Sequence, residues 1–230
     1  MKRLVSALFV CLLLTVFLAV SASAGVVTQW KNITSGVSTV TFDKYSGTHA
    51  LTSVVLTLTG SINGMVRVEN KAECTQDITV YLSRSLTLKQ GSTELVAVKP
   101  TFTKTYHCDY YDGTVDYLPT VTTNGSTGSG FTEVMPATTD SKSLTYTAGI
   151  DDLTPYISDG INTTFDLSIV RSTISSVMGD NDMDYWNSIA FTGEADLKYY
   201  YEETPEPGSI VALLVGLTGI LGTGLRRRIK

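Results

Sequence analysis

The sequence predicts an all-β protein built as a single antiparallel β-sandwich, of which a jelly-roll arrangement is one form. Three observations predict this class. Apolar and polar residues alternate with period two in many short runs. Residues 25–203 contain 30 threonines, β-branched residues that suit half-exposed strands. Glycine-containing turn signals separate the runs, and no long stretch has helical periodicity.

Two alternating runs lie close together near the start of this region. In the first, Val54, Leu56 and Leu58 share one face, which we expect to be buried. The second, residues 62–70, is expected to turn its valines inward and Arg67 and Glu69 outward. Further buried positions follow the same alternation: Ile78, Val80, Leu82, Leu86, Leu88, residues 95–98, Phe165, Leu167, Ile169, Ala195, Leu197, Tyr199 and Tyr201.

Other segments complete the predicted domain. Residues 151–160 have room for one short helical turn before Gly160. Residues 122–130, rich in Gly, Ser and Thr, are interpreted as a long flexible surface loop. Trp30 and Trp186 are expected to be core residues, because large aromatic side chains are mostly buried.

The first 24 residues have the pattern of a signal peptide. Lys2 and Arg3 precede an apolar run over residues 4–20, and Ala22 and Ala24 supply the small residues that signal peptidase accepts. We expect cleavage after Ala24. An uncleaved N-terminal anchor is the alternative, since the apolar run exceeds the usual length of about 7–15 residues.

Charge excludes one class of partner. The chain has 17 basic and 22 acidic residues; six of the basic ones and Glu206 lie in the two terminal segments. Residues 25–203 therefore carry 11 basic and 21 acidic side chains, a net charge of −10. Such a surface repels phosphate backbones, so nucleic-acid binding is not expected. It suits a secreted domain, including one that binds cations.

Two cysteines remain in the domain, and two interpretations of them stay open. An exported protein can form disulfides, and a Cys74–Cys108 bridge would close a loop of about 35 residues worth roughly 3–4 kcal/mol in the chain-entropy model. Export and the even count favour this bridge. The other interpretation is a pair of unpaired thiols.

The last 27 residues contain three parts in fixed order. A polar motif, Pro205, Glu206, Pro207, Gly208 and Ser209, precedes an apolar stretch over residues 210–225, which is followed by Arg226, Arg227 and Arg228. A 16-residue helix spans about 24 Å, which is short of a ~30 Å hydrocarbon core. The arginines favour a cytoplasmic C-terminus. A transient anchor and an ordinary single-pass anchor both fit.

This order of parts closely resembles the PEP-CTERM sorting signal. The resemblance implies recognition by an exosortase, a membrane cysteine transpeptidase of Gram-negative bacteria that make extracellular polysaccharide. Cleavage near Pro205, Glu206 and Pro207 would release the domain or transfer it to the cell surface. Residues 42–70 and 111–117, together with the β-rich segment to Tyr201, resemble the bacterial choice-of-anchor E domain, a display module without established catalytic residues.

An acidic segment near residue 180 is a candidate metal site. Asp180, Asp182 and Asp184 have the spacing of hard oxygen ligands in a calcium loop. Tyr185 replaces the glycine of the full pattern and Phe191 its final glutamate, which favours a plain acidic hairpin. We expect no other cofactor.

A second candidate site is rich in tyrosine. Residues 106–117 contain Tyr106, Tyr110, Tyr111 and Tyr117 beside three aspartates, a composition that can bind sugars by stacking and hydrogen bonding. Ordinary strand aromatics are the alternative that this composition favours.

No motif of a catalytic nucleophile, zinc site or phosphate loop is present. We therefore expect a non-enzymatic protein that is exported through the inner membrane and acts at the cell surface or in the extracellular matrix. Its expected partners are signal peptidase, exosortase and the surrounding polysaccharide. A carbohydrate- or calcium-binding module is the alternative, and a secreted hydrolase with a dispersed carboxylate pair is a third hypothesis.

Overall fold

The structure is a computed structural model that describes residues 23–114, 128–179 and 182–203. This part of the chain is almost entirely β-strand. Its nine strands are β1 (Ser23–Ile33), β2 (Thr39–Asp43), β3 (Leu51–Asn70), β4 (Gln76–Gln90), β5 (Thr93–Val98), β6 (Thr101–Cys108), β7 (Gly130–Thr147), β8 (Thr164–Met178) and β9 (Met183–Glu203).

The strands form two antiparallel sheets. The first has the order β1-β9-β3-β7, and the second has the order β2-β8-β4-β5, with β6 also paired to β4. β6 and β5 share one edge of β4, because β6 pairs with residues 76–83 and β5 with residues 86–90. The predicted all-β class with antiparallel pairing is confirmed.

The inward faces of both sheets form the core, as the alternation predicts. Val54, Leu56 and Leu58 of β3 are buried, and so are the apolar inward residues of β4 and the inward residues at 165, 167 and 169 of β8. The buried side chains form two clusters along the length of the strands. Phe191 packs against both clusters and connects them.

The two ends of the described chain lie together. Ser23, at the start of β1, pairs with Glu203, at the end of β9. We call this end of the molecule the proximal end. The opposite end, where Asn70 pairs with Met183, is the distal end. β9 has 21 residues, and at about 3.3 Å per residue it separates the two ends by roughly 65 Å.

Three expectations about burial are wrong. Glu69 was expected to face outward into solvent, but its exposure is 0% and it accepts a hydrogen bond from Ser129 Oγ at 2.7 Å. Trp30 and Trp186 were expected in the core, but 60% and 49% of their surfaces are exposed. Both tryptophans stand on the outward-facing positions of their strands, opposite in parity to Ile33 and Leu197, which are buried.

The remaining sequence predictions concern the short helical turn, membrane-crossing helices and the segments that lie outside the described residues. The short helical turn is confirmed as a 3₁₀ turn at Thr154–Tyr156. No helix within the described ranges is long and apolar enough to cross a membrane. The predicted signal peptide, except for its last two residues, lies outside the described residues. The same holds for the sorting motif and for most of the predicted surface loop.

Candidate functional site at the distal end

The structure brings the candidate segments of the sequence together at the distal end. Four loops meet there: residues 71–75, residues 109–114, residues 128–129, and the segment that enters β9 at Asp182. The backbone N–H of Lys71 donates to the carbonyl of Asp182 at 2.8 Å, and that of Asp109 donates to the carbonyl of Gly128 at 3.1 Å. The acidic segment and the tyrosine-rich segment therefore belong to one surface.

Asn70 connects these loops. Its side chain has 0% exposure, and its Nδ2 donates to the carbonyls of Cys74 at 2.8 Å and Asp109 at 2.7 Å. Its Oδ1 accepts from the N–H of Ala72 at 2.8 Å and from Nε2 of Gln76. The amide therefore uses its donors and its acceptor to fix the distal loops. Sequence patterning gave no signal for this residue.

The acidic segment shows a different arrangement from a calcium loop in its described part. Asp184 forms an ion pair with Lys71, and Asp182 contributes its backbone carbonyl to Lys71 and Gln76. Asp180 lies outside the described residues, so the full triplet is not placed. Across the described ranges, no three acidic, histidine or cysteine side chains group as metal ligands.

The tyrosine-rich segment separates into buried and exposed members. Tyr106 is buried in the core, and this burial raises the pKa of its phenol. Tyr110 is exposed and Tyr111 half-buried, while Tyr117 lies outside the described residues. Asp112 accepts hydrogen bonds from the N–H and hydroxyl of Thr114, which lower the pKa of its carboxyl. Among the described tyrosines of this segment, Tyr110 has the largely exposed ring.

The predicted disulfide is absent from the structure. Cys74 and Cys108 are both free; Cys74 is exposed in a distal loop and Cys108 is buried at the end of β6. The Cys108 thiol points into the core, where Sγ lies 3.9 Å from the carbonyl oxygen of Tyr106. Burial, reinforced by the negative charge of Glu69, raises the pKa of the Cys108 thiol to about 12.

This difference predicts selective thiol chemistry. Because the thiolate is the reactive form, iodoacetamide at pH 8 is expected to modify Cys74 and to leave Cys108 unmodified in the folded protein. In urea both should react to the same extent. Peptide mapping by mass spectrometry would locate the label on each cysteine. Recovery of a Cys74–Cys108 cross-linked peptide from untreated protein would contradict the free thiols.

A shallow groove beside the distal end combines Asp184 of the acidic segment with residues that no sequence motif marks as a site. It has a cavity volume of about 240 Å³ and is lined by Arg67, Asp184, Tyr185 and Trp186. The Arg67 guanidinium lies over the Trp186 ring at 4.9 Å from its centroid. Arg67 and Trp186 are cross-strand partners of β3 and β9. Strand parity counted back from Leu197 would have placed Trp186 on this outer face.

The chemistry of the groove is that of a binding surface. A half-exposed indole offers an apolar plane, and a guanidinium and a carboxylate beside it offer hydrogen-bond donors and acceptors. The Arg67 Nη2 donates to the Met65 sulfur at 3.7 Å. Among the described residues its buried Nε has no hydrogen-bond partner. Because Arg67 lines the groove, a ligand bound there can offer an acceptor to its guanidinium.

A second cavity, of about 390 Å³, lies near the proximal end. Its aromatic side chains pack on one another: the Tyr45 and Tyr201 rings are 5.5 Å apart, and His49 stacks on Tyr201 at 5.6 Å. The Tyr199 hydroxyl donates to the carbonyl of Asp43 at 2.8 Å, and burial raises its pKa. These contacts fix the loop after β2, which makes this cavity a weaker candidate than the groove.

Comparison with known proteins assigns no family to this chain. No family model and no curated protein matches it. Among solved structures, those of the Gt and Gx strains of infectious bursal disease virus align at 9% and 11% identity, with TM-scores of 0.11 and 0.13. T=1 particles derived from the same virus align at 11% identity and a TM-score of 0.12. The alignments cover 83%, 87% and 83% of this chain but only 47%, 49% and 47% of the viral chains, so this chain spans about half their length. TM-scores of this size do not indicate a shared fold.

Proposed function

We propose that this chain is an exported, non-enzymatic β-sandwich protein that is displayed at the bacterial cell surface or in the extracellular matrix. One observation carries the proposal: Ser23 and Glu203 are paired neighbours. The segments interpreted as a signal peptide and as a sorting signal therefore join the domain at the same, proximal end. The distal end, with its groove, is then the part held farthest from the membrane.

The physical character of the domain supports this role. Residues 25–203 have a net charge of −10, which keeps a protein soluble in an aqueous, anionic polysaccharide layer. Long paired strands give a stiff spacer of roughly 65 Å, since each strand is hydrogen-bonded along its length. The PEP-CTERM-like tail supplies the route: export, a membrane-held intermediate and cleavage by an exosortase.

The intact mass of the protein recovered from its own cells and medium tests this proposal. We expect a chain that starts at Gly25 and ends between Pro205 and Gly208. Replacing Pro205 and Pro207 together by alanine should leave the tail attached and retain the protein in the membrane fraction. A wild-type mass that extends to Lys230 would overturn sorting through the tail, and a mass that begins at Met1 would overturn signal-peptide cleavage.

A second candidate function is carbohydrate binding in the distal groove. The observation that favours it is the half-exposed Trp186 ring with the Arg67 guanidinium beside it in the groove. An indole stacks on the apolar face of a sugar, and the guanidinium can bind a hydroxyl or a carboxylate of the same unit.

The two tryptophans provide a matched pair for testing this candidate. The chain has only these two, and Trp30 is exposed on the proximal half of the same sheet. Titration with polysaccharide from the producing cells should quench the fluorescence of Trp30→Phe, which retains Trp186. The Trp186→Phe variant should show little change. Equal quenching in both variants, or none in either, would exclude the groove as the binding site.

A further inference from the structure

In the described part of the chain, one side ends in two strand edges that have no pairing partner. β1 pairs with β9 only over residues 193–203, so within the described ranges residues 183–192 have β3 as their one neighbour. β2 pairs with β8 only over residues 164–168, so residues 170–178 similarly have β4 alone. Tyr185 of β9 and Ser175 of β8 are joined by a 3.1 Å hydrogen bond between their hydroxyls. The two open edges therefore lie side by side.

The backbone of β9 presents hydrogen-bonding groups at this edge. A Cβ on Gly64 of β3 would overlap the Ser188 carbonyl oxygen, which shows that this carbonyl points toward β3. Backbone groups alternate in direction along a strand, so those of Asn187 and Ile189 point away from β3 to the open edge. Such groups form a template for another strand.

The opposite edge of the first sheet has more features that block strand addition than the open edge of β9 has. Its edge strand β7 contains Pro136, Asp140 and Lys142, and its Glu133 is paired with Lys104 at 2.6 Å. Proline and charge are the usual means by which proteins block an edge. The open edge of β9 has one charged residue, Asp184, and no proline.

Four exposed apolar side chains lie on the open side. Val170, Ile174 and Met178 of β8 and Trp186 of β9 are each more than 40% exposed, at 45%, 43%, 62% and 49%. Burial of such side chains favours association. A partner strand would lie beside these outward-facing side chains and pair the open backbone at the same time.

We propose that this side is the interface with a second copy of the chain, formed by antiparallel pairing of β9 with β9 around a two-fold axis perpendicular to the sheets. Such an axis keeps each sheet in its own plane, so the β8 edges of the two copies meet as well. Among the described residues, the part of β9 beyond the end of β1 has β3 as its one neighbour, and in the dimer it would pair with the same part of the second copy. The β9 strand of each copy therefore occupies the position beyond the end of β1 in the other copy, and both sheets continue across the dimer.

The alternation of side chains restricts the register. Residues that oppose each other in an antiparallel pair point to the same face of the sheet. The residue of β9 nearest the two-fold axis must therefore lie opposite the same residue of the second copy. A register centred on Ser188 places Trp186 opposite the small Ala190 of the second copy. It also places Tyr185 opposite Phe191. The Asp184 carboxylates of the two copies are then kept far apart.

Cysteine cross-linking of the full chain tests the interface. Single substitutions to cysteine at residues 186–190 place one thiol at each possible centre of the two-fold axis. We expect Ser188→Cys to give the most dimer on non-reducing gels, because paired Cα atoms about 4.5–5.5 Å apart allow a disulfide. Ser141→Cys on the exposed part of β7 and the wild type, which carries Cys74, are the controls. If no position in the scan exceeds these controls, the interface is disproved.

A proline variant tests the same interface in solution. Asn187→Pro removes an N–H that faces the open edge and leaves the hydrogen bonds to β3 intact. Asn187→Ala loses the same 3.3 Å side-chain bond to Ser175 but keeps that N–H. Light scattering of the full chain in mild detergent should give dimers for the wild type and Asn187→Ala, and a dimer at least tenfold weaker for Asn187→Pro. Equal masses for both variants would overturn the proposal. If Asn187→Pro has lost its β circular dichroism spectrum, the cross-linking scan decides.

Discussion

Replacing Asn70 by alanine is expected to lower the free energy of unfolding by about 4 kcal/mol. The substitution leaves the carbonyls of Cys74 and Asp109 without their donor and the N–H of Ala72 without its acceptor. Each buried polar group that loses its partner costs roughly 1–3 kcal/mol of stability. Water that enters the space left by the side chain reduces this cost by hydrogen-bonding to the group. Chemical denaturation followed by far-UV circular dichroism would measure the change.

The location of the damage is also predictable. Because Asn70 connects the distal loops, Asn70→Ala should expose Cys108 and make its thiol reactive in the absence of urea. Asn32 on the exposed face of β1 is a matched control, and its replacement by alanine should change the free energy of unfolding by no more than about 0.5 kcal/mol. Equal effects at Asn70 and Asn32 would contradict the role assigned to the buried amide.

Replacing Gly64 by alanine is expected to cost about 3–4 kcal/mol through the backbone. Gly64 has a φ of 153° and lies at the irregularity in the β3–β7 register. A Cβ there would overlap the carbonyl oxygen of Ser188, which belongs to the paired backbone of β9 and cannot rotate away. The pairing of β3 with β9 would have to open at this point. The decrease in the denaturant concentration at the unfolding midpoint would measure the effect.

Gly149 provides a control that distinguishes the two causes of this loss of stability, which are the strained φ and the overlap of the new Cβ with a neighbouring atom. Its φ is 80°, so alanine would be strained there as well, but no atom lies within 4 Å of a Cβ at this position. Gly149→Ala should therefore cost only about 1–2 kcal/mol, the conformational part alone. If Gly64→Ala and Gly149→Ala were equally destabilising, the overlap with Ser188 would not be the cause.

The sequence was sufficient for the fold class because strand alternation is a local property. Val54, Leu56 and Leu58 are buried where period two placed them, and the same parity would have corrected the two tryptophans. Residue type alone misled for Trp186, since a large aromatic ring is equally suited to an exposed binding surface. The burial of Glu69 was missed for a different reason. Alternation predicts which face of a strand a side chain is on, but it does not predict which other part of the chain covers that face.

The distal site could be predicted only in part. The acidic and tyrosine-rich segments were visible as compositions, but their meeting at Asn70 depends on loops that are far apart in the chain. Arg67 and Trp186 are 119 positions apart in the sequence and become neighbours only through the β3–β9 register. Register is set by packing and turns over the whole sheet, so no short window of sequence contains it.

The strand order determines how late in synthesis the first sheet can be completed. β9 is the last of the described strands to leave the ribosome, yet it occupies an inner position of its sheet, between β1 and β3. Until it arrives, β1 has no partner within its sheet and β3 has only β7. Native pairing of the first and last strands also spans almost the whole domain, which is the type of contact that slows folding. An emerging chain therefore keeps this sheet incomplete through nearly all of its synthesis, and the sheet is completed by the final residues of the domain.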